Sequence, residues 1–130
     1  QLLGVDGFDS PKYLELGKEN TEDSVFTTSF YTTDQREVVQ KFVKAWKEKY
    51  QGEPDMLSSQ SYDAAMVILE ALKKAGPDRE KLAQAINETK DFEGTSGKIS
   101  FGPDHEVIKP VIFMTVKDGT FQFVTSKVYH

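Results

Sequence analysis

The sequence predicts a mixed α/β fold, and three observations lead to this class. β-branched and aromatic residues fill a short run over 25–31, as in strands. Two longer stretches carry apolar residues at spacings of three and four, which is typical of amphipathic helices. An Asp-Gly pair between two alternating runs predicts a hairpin. Strands and helices do not alternate often enough for a complete parallel sheet, so we expect missing partner strands.

The first elements surround an acidic residue. Residues 1–5 predict the end of a buried strand, and Asp6 with Gly7 the turn that leaves it. A short helix is expected from Pro11 to the residue before Gly17, because proline suits the first helical position.

After the strand over 25–31, a long helix is predicted from about 34 to 50. Thr32 with Gln35, or Asp34 with Glu37, resembles a capping box at its start. Its apolar stripe is Val39, Phe42, Val43, Trp46 and Tyr50. Gly52 and Pro54 are expected to end it.

Residues 56–57 form a brief apolar segment that we expect to be buried. Ser59 or Ser61 is a candidate cap for the next helix, which Gly76 ends. Its apolar stripe, expected to face inward, is Tyr62, Ala65, Met66, Leu69 and Leu72. A third helix follows Asp78, and so short a joint predicts that the two helices lie side by side.

The last third of the chain reads as β structure. A glycine-punctuated loop over 92–97 precedes a strand over 98–101. Two further strands, 111–116 and 120–124, are joined through the Asp-Gly turn.

Composition excludes several function classes. The 130 residues suit one domain, and no apolar run approaches the roughly 20 residues of a spanning helix. A net charge of −5 argues against nucleic-acid binding, which needs clustered Lys and Arg. The absence of cysteine excludes disulfides, Cys-based zinc sites and thiol catalysis. A small-molecule or protein partner is favoured.

Candidate chemistry is sparse. Only two histidines occur; His105 lies in a predicted turn beside two acids, and His130 is the final residue. The acid pairs, including Asp6 with Asp9, lack calcium-loop spacing, and the loop over 94–97 lacks the Gly-Lys-Ser/Thr ending of a phosphate loop. We predict no catalytic residue, metal site or cofactor.

Asp6 is the exception. It follows a predicted strand, and the carboxyl ends of strands are where α/β folds place ligands. A turn residue and a ligand contact are equally compatible with its local sequence. Phe8 could supply an apolar contact beside it.

Three stretches, 4–8, 61–76 and 92–121, occur in an order and spacing that cover nearly the whole chain. Together they resemble the C-terminal part of the solute-binding proteins of branched-chain amino-acid ABC transporters, the Leu/Ile/Val-binding-protein group of the type I periplasmic binding fold. The resemblance implies a partial fold of flavodoxin-like lobes whose N-terminal half is absent. Residues 1–28 would end lobe 2, 29–112 would form the C-terminal part of lobe 1, and 113–130 would be the return crossover and hairpin to lobe 2.

The resemblance also implies a site. At the position matching Asp6, an acid accepts the ligand's α-ammonium, and near Leu57 the other lobe presents an apolar residue. Phe8 would add apolar contact. The groups that bind the ligand's carboxylate lie in the family's upstream half.

The implied function is capture of an amino acid or similar small ligand, without covalent chemistry, for delivery to an ABC permease. The implied location is periplasmic or extracellular, and membrane-anchored lipoproteins fit it. The same fold also serves as the ligand-binding region of sensors and regulators, which is the alternative. An enzyme is a third hypothesis, weakened by the shortage of His, Cys and paired nucleophiles. We expect the isolated chain to dimerise or exchange strands through open sheet edges.

Overall fold

The computed structural model describes residues 1–129 and shows two regions. In chain order the elements are β1 (Leu3–Gly4), α1 (Pro11–Gly17), β2 (Val25–Thr28), α2 (Glu37–Tyr50), α3 (Met56–Ala75), α4 (Arg79–Asn87), β3 (Phe92–Gly94), β4 (Gly97–Phe101), β5 (Val107–Ile108), β6 (Val111–Lys117) and β7 (Thr120–Lys127). We call β1, α1, β2, β6 and β7 the sheet region, and α2–α4 with β3–β5 the helical region. His130 lies outside the described residues.

The sheet region is a four-stranded sheet in the order β1-β2-β6-β7. β1 and β2 are parallel, whereas β6 is antiparallel to both of its neighbours. Side chains alternate between the faces of a strand, and every second residue of β6 is buried. The resulting apolar core is Phe26, Ile112, Met114 and Val116.

The hairpin between β6 and β7 is confirmed. Asp118 and Gly119 have φ values of 51° and 67°. Positive φ at both central residues is what a two-residue type I′ turn requires, and Asp-Gly tolerates it at low cost. The turn fixes the register that brings Lys117 opposite Thr120.

At the start of the sheet region, α1 forms as the sequence predicts, whereas β1 differs from the prediction. Ser10 caps α1, since its hydroxyl accepts a hydrogen bond from the Lys12 amide at 3.2 Å. β1 was expected to be buried, and this is wrong: Leu3 is 77% and Val5 66% exposed. β1 forms an edge of the sheet and pairs only with β2, so its side chains meet few neighbours.

α2 begins three residues later than predicted. The Asp34 carboxylate accepts hydrogen bonds from the Arg36 amide at 2.9 Å and from Arg36 Nε at 2.8 Å. It is therefore committed to Arg36, and neither predicted capping box forms. The helix ends at Tyr50, and the capping residue Gln51 adopts the left-handed conformation that Gly52 was expected to supply.

α3 also begins elsewhere than predicted, at Met56 instead of after Ser59 or Ser61. Asp55 is its cap: the carboxylate accepts from the Ser58 amide at 2.8 Å, and the Ser58 hydroxyl accepts from the Asp55 amide at 2.8 Å. This reciprocal capping box satisfies two otherwise unpaired amides one turn earlier.

The face of α3 that packs inward is not the predicted one. Tyr62, Leu69 and Leu72 of the predicted stripe are 40%, 48% and 39% exposed. The buried residues of the helix are Met56, Ser59, Asp63, Val67 and Ala71. Two of these are polar, so hydrogen bonding as well as apolar contact decides how the helix is turned.

Asp63 is the centre of that bonding. Its carboxylate, only 2% exposed as a residue, accepts four hydrogen bonds: from the Thr95 amide (2.7 Å) and hydroxyl (2.9 Å), and from the Ser96 amide (2.8 Å) and hydroxyl (2.6 Å). Arg36 donates to the carbonyls of Gly94 at 3.0 Å and Thr95 at 2.9 Å. We call these contacts the Asp63 network.

The Asp63 network holds the turn between β3 and β4, so the loop over 94–97 is a hairpin turn, as its glycines predicted. A Cβ on Gly94 would lie 2.7 Å from an Asp63 carboxylate oxygen. Gly97 has a φ of +114°, and a Cβ there would lie 2.6 Å from Pro110. Glycine is required at both ends because the backbone approaches other groups too closely for a side chain.

Candidate ligand groove

An open groove of about 370 Å³ lies where the two regions meet. One wall is the segment after β1, formed by Asp6–Gly7 and Asp9–Pro11. The other wall is the start of α3, Asp55–Leu57. Its size falls within the range of small-molecule sites, roughly 300–1,000 Å³.

Asp6 is held by its backbone while its side chain stays exposed. It opens a single 3₁₀ turn in which the Phe8 amide donates to Val5 O at 3.0 Å and the Asp9 amide to Asp6 O at 2.9 Å. Within residues 1–129, its carboxylate has no hydrogen-bond or ion-pair partner. The group is thus positioned and available to a cation.

Leu57 lies in the first turn of α3 and is 67% exposed. The expectation of a buried 56–57 segment is therefore right for Met56, which is 9% exposed, and wrong for Leu57. Successive helical residues point in different directions, and Leu57 points to the groove wall instead of the core. The structure brings Asp6 and Leu57, both predicted site residues, to one groove.

Phe8 takes a different place. Its ring stacks on Tyr13 with centroids 4.4 Å apart and lies 6.4 Å from Phe26. It also fills the space next to Gly4, where a Cβ would lie 2.4 Å from the ring. Phe8 is absent from the groove walls and joins the packing of the sheet region, which anchors the turn that carries Asp6.

Two further carboxylates line the groove. The Asp9 carboxylate accepts a hydrogen bond from Thr28 Oγ1 at 2.5 Å. Burial raises the pKa of Asp9, and the charges of Asp55 and Asp6 act in the same direction, against the Thr28 hydrogen bond. Hydrogen bonds from Ser58 lower the pKa of Asp55. Three acids around one opening create a negative potential that favours a cationic group.

Sequence analysis paired Asp9 with Asp6 but did not single out Asp55. The Asp-x-x-Ser spacing of residues 55–58 is the signal that could have found it, since this is the pattern of a capping box. Among the described residues, no group of three or more His, Cys, Asp or Glu side chains could hold a metal ion.

The groove continues into a narrower space of about 210 Å³ between the two regions. Asp9, Pro11 and Asp55 border both spaces. The inner walls are mostly apolar: Phe30, Tyr31, Met56, Met114 and Phe121. A ligand with a charged end at the acids would find apolar surface deeper in.

The comparisons with known proteins agree on one family. A family model described as "Periplasmic binding protein" matches residues 1–120. A leucine binding protein, LivK, from Thermotoga maritima has 40% sequence identity and a TM-score of 0.84 over 95% of this chain and 36% of its own. LivJ, a branched-chain amino acid transporter substrate-binding protein from Streptococcus pneumoniae solved with isoleucine, has 28% identity and a TM-score of 0.80 over 98% of this chain and 36% of its own.

No curated protein sequence matches significantly. The chain spans about 36% of the length of the LivK and LivJ structures. No helix among residues 1–129 is long and apolar enough to cross a membrane. The mixed α/β class and the resemblance to solute-binding proteins are confirmed, and the chain belongs to the periplasmic binding protein family.

Proposed function

We propose that this chain is part of an extracytoplasmic solute-binding protein that captures an amino acid or a similar small ligand and delivers it to an ABC permease. The observation that carries the proposal is the unpaired Asp6 carboxylate and the exposed Leu57 side chain on one groove. Relatives support it: one is named a leucine binding protein, and another was solved with isoleucine.

Asp6 would accept the α-ammonium of the ligand. A carboxylate and a partly dehydrated ammonium form a short, charge-assisted hydrogen bond, roughly twice as strong as a neutral one. Asp9 and Asp55 add to the local negative potential, and Leu57 offers an apolar wall to the side chain of the ligand. Phe8 would act indirectly, by holding the Asp6 turn against the sheet.

The two regions suggest how the ligand is enclosed. We assign residues 1–28 to the end of lobe 2, 29–112 to the C-terminal part of lobe 1, and 113–130 to the return crossover and hairpin. The four-stranded sheet and the Asp63 network support a division into two regions, because each region has its own internal contacts. β6 begins at Val111, two residues before the last of these boundaries. A ligand touching both walls would favour the closed state through its extra contacts there.

In this function no covalent bond is made or broken, so the protein would act as a binding protein and not as an enzyme. Its partners would be the ligand and a membrane permease. Capture outside the cytoplasm, in the periplasm or at the cell surface as a lipoprotein, fits the family to which the chain belongs.

A chimera tests the proposal. The matching 36% of Thermotoga maritima LivK is replaced by this chain, so that LivK supplies the rest of the fold. Leucine binding is then measured by calorimetry for the chimera and for Asp6→Asn. We expect Asp6→Asn to weaken binding about tenfold to hundredfold, because one hydrogen bond to a charged group is lost.

Asp104→Asn is the matched control, since Asp104 lies in an exposed turn of the helical region. Its affinity for leucine should equal that of the chimera. Equal affinity for Asp6→Asn as well would remove Asp6 from the site and contradict the proposal.

We also propose that the isolated chain self-associates through its open sheet edges. β7 is an edge strand of eight residues, with Phe123 45% and Val124 52% exposed. Unpaired amides and carbonyls along such an edge form a template for another strand. Light scattering at micromolar concentration should show a dimer, and a strictly monomeric chain would count against this assignment.

A further inference from the structure

A second cavity, of about 350 Å³, lies inside the helical region, away from the groove. It lies between α3, α4 and the paired strands β4 and β5. Most of its walls are aliphatic or aromatic: Val67, Ile68, Ile86, Ile99, Phe101 and Val107. Neither Asp6 nor Leu57 contributes to it.

The cavity is open to solvent through apolar side chains. Ile68 and Val107, which line it, are 47% and 52% exposed. Exposed apolar residues next to a cavity of this size offer apolar area that a ligand could remove from water, which favours binding.

One cation lines this apolar space. Lys109 is half-buried, and its Nζ has no hydrogen-bond or ion-pair partner within the part of the chain that the structure describes. Burial lowers the pKa of Lys109, whereas the charge of Asp63 acts the other way. The Asp63 carboxylate is already occupied by Thr95 and Ser96.

The contrast with Lys98 is instructive. Lys98, at the outer side of β4, is exposed and lies 3.4 Å from Glu93. Lys109 is half-buried, and the Asp63 carboxylate, which also lines the cavity, acts on its ammonium by charge but forms no hydrogen bond or ion pair with it. A partly buried ammonium without an acceptor is costly, so an anion that accepts from Lys109 Nζ would complete the arrangement.

We propose that this cavity binds a small amphipathic carboxylate, whose apolar body fills the space among Val67, Ile86 and Phe101 and whose carboxylate pairs with the Lys109 ammonium. The ion pair would be charge-assisted and partly shielded from water. Its volume lies at the lower end of the range for small-molecule sites. The site differs from the groove in charge: the groove would take the cationic end of its ligand, and this cavity takes an anionic one.

Octanoate is the probe, titrated calorimetrically into the 130-residue chain. The chain should bind octanoate more tightly than neutral octan-1-ol, since only the first can pair with Lys109. Lys109→Met keeps the length of the side chain and removes the charge. We expect this variant to bind octanoate about tenfold or more weakly and to lose the preference over the alcohol.

Lys98→Met is the matched control and should bind octanoate as the unchanged chain does. Asp6→Asn should also leave octanoate binding intact, so a failure of the proposed amino-acid site can be told apart from a failure here. Equal octanoate affinity for Lys109→Met, or no binding to the unchanged chain, would overturn the inference.

A second variant guards against loss of folding. Ala64 lines the cavity at an exposed position of α3, so Ala64→Trp can fill the space without disturbing buried packing. It should abolish octanoate binding while the melting temperature stays close to that of the unchanged chain. Undiminished binding by Ala64→Trp would show that octanoate lies elsewhere and contradict the assignment.

Discussion

The sheet region and the helical region differ in how their buried polar groups are arranged. The apolar cluster of the sheet region includes Phe26, 1% exposed, and Val116, 0% exposed, and buried hydroxyls accompany it: Ser24 donates to the Thr21 carbonyl and Thr28 to Asp9. The helical region has an apolar cluster too, around Val39 and Phe42, but its α3 is also secured by Asp63. Both regions combine non-directional burial with hydrogen bonds of fixed direction, but the helical region concentrates four of those bonds on one buried carboxylate.

This difference explains why the apolar periodicity of the sequence predicts the buried face of β6 but not that of α3. In β6, alternate apolar residues face inward, as a period of two predicts. In α3, apolar residues occupy both the inner and the outer face, so periodicity alone cannot tell which one packs. The hydrogen bonds that the Asp63 carboxylate accepts from a turn 32 residues later decide it. We expect the two regions to respond differently to substitution.

Truncating a buried apolar side chain should cause the largest loss of stability in the sheet region. Phe26→Ala should lower the free energy of unfolding by about 3–5 kcal/mol, because apolar contacts are lost and a cavity remains. Urea unfolding followed by circular dichroism measures the change. Phe26→Met is the matched variant and should cost less than about 1.5 kcal/mol, since non-directional packing tolerates a swap of similar volume. An equal loss for both would contradict this account of the core.

Loss of the hydrogen bonds to Asp63 should lower the stability of the helical region. Asp63→Asn changes almost no volume but places an amide donor among the donors of Thr95 and Ser96. We expect it to cost about 2–3 kcal/mol in urea unfolding, because buried amides lose their acceptor. Asp104→Asn, in an exposed turn, should stay within about 0.5 kcal/mol of the unchanged chain. If Asp63→Asn were as harmless, the comparison between the regions would fail.

The orientation of α3 can be tested with two neighbouring residues. Val67 is 5% exposed and Leu69 48%. Val67→Ala should cost about 1–2 kcal/mol of unfolding free energy, whereas Leu69→Ala should cost less than about 0.5 kcal/mol despite losing more atoms. The reverse order would mean that the stripe expected from the sequence faces the core after all.

The smallest effect concerns the boundary between the regions, where Asp9 of one faces Asp55 of the other. Burial raises the pKa of Asp9 above its ordinary value of 3.8. Protonated Asp9 therefore stabilises the fold below pH 3.8, and this contribution is lost as pH rises through the raised pKa. Asp9→Asn mimics the protonated form and can still accept from Thr28.

The variant should match the unchanged chain below pH 3.8 and become more stable than it as pH rises through the raised pKa of Asp9. Thermal unfolding in a series of buffers measures the difference. Asp55 has a lowered pKa, so Asp55→Asn should show the opposite slope, losing its relative stability as pH rises. A difference between Asp9→Asn and the unchanged chain that does not vary with pH would contradict the effect of burial on Asp9.

Local chemistry determined several features that the sequence alone predicted. The Asp-Gly hairpin, the start of α1 at Pro11 and the turn over 94–97 depend on residues close together in the chain. The position of Asp6 after the first strand is of the same kind. These features could be predicted because turn geometry and capping depend on backbone angles that few residue types can adopt.

Tertiary structure alone decided the features that depend on distant residues. Arg36 is held by the distant carbonyls of Gly94 and Thr95 as well as by Asp34, and α2 begins only after it. The Asp63 network turned α3 so that its predicted stripe faces outward. Phe8 packs on Tyr13 and does not line the groove. Asp6 lines it together with Asp55 and Leu57, which lie about fifty residues further along the sequence. Sequence periodicity records which residues are apolar, but which partner each one meets follows from contacts between segments that only the folded chain brings together.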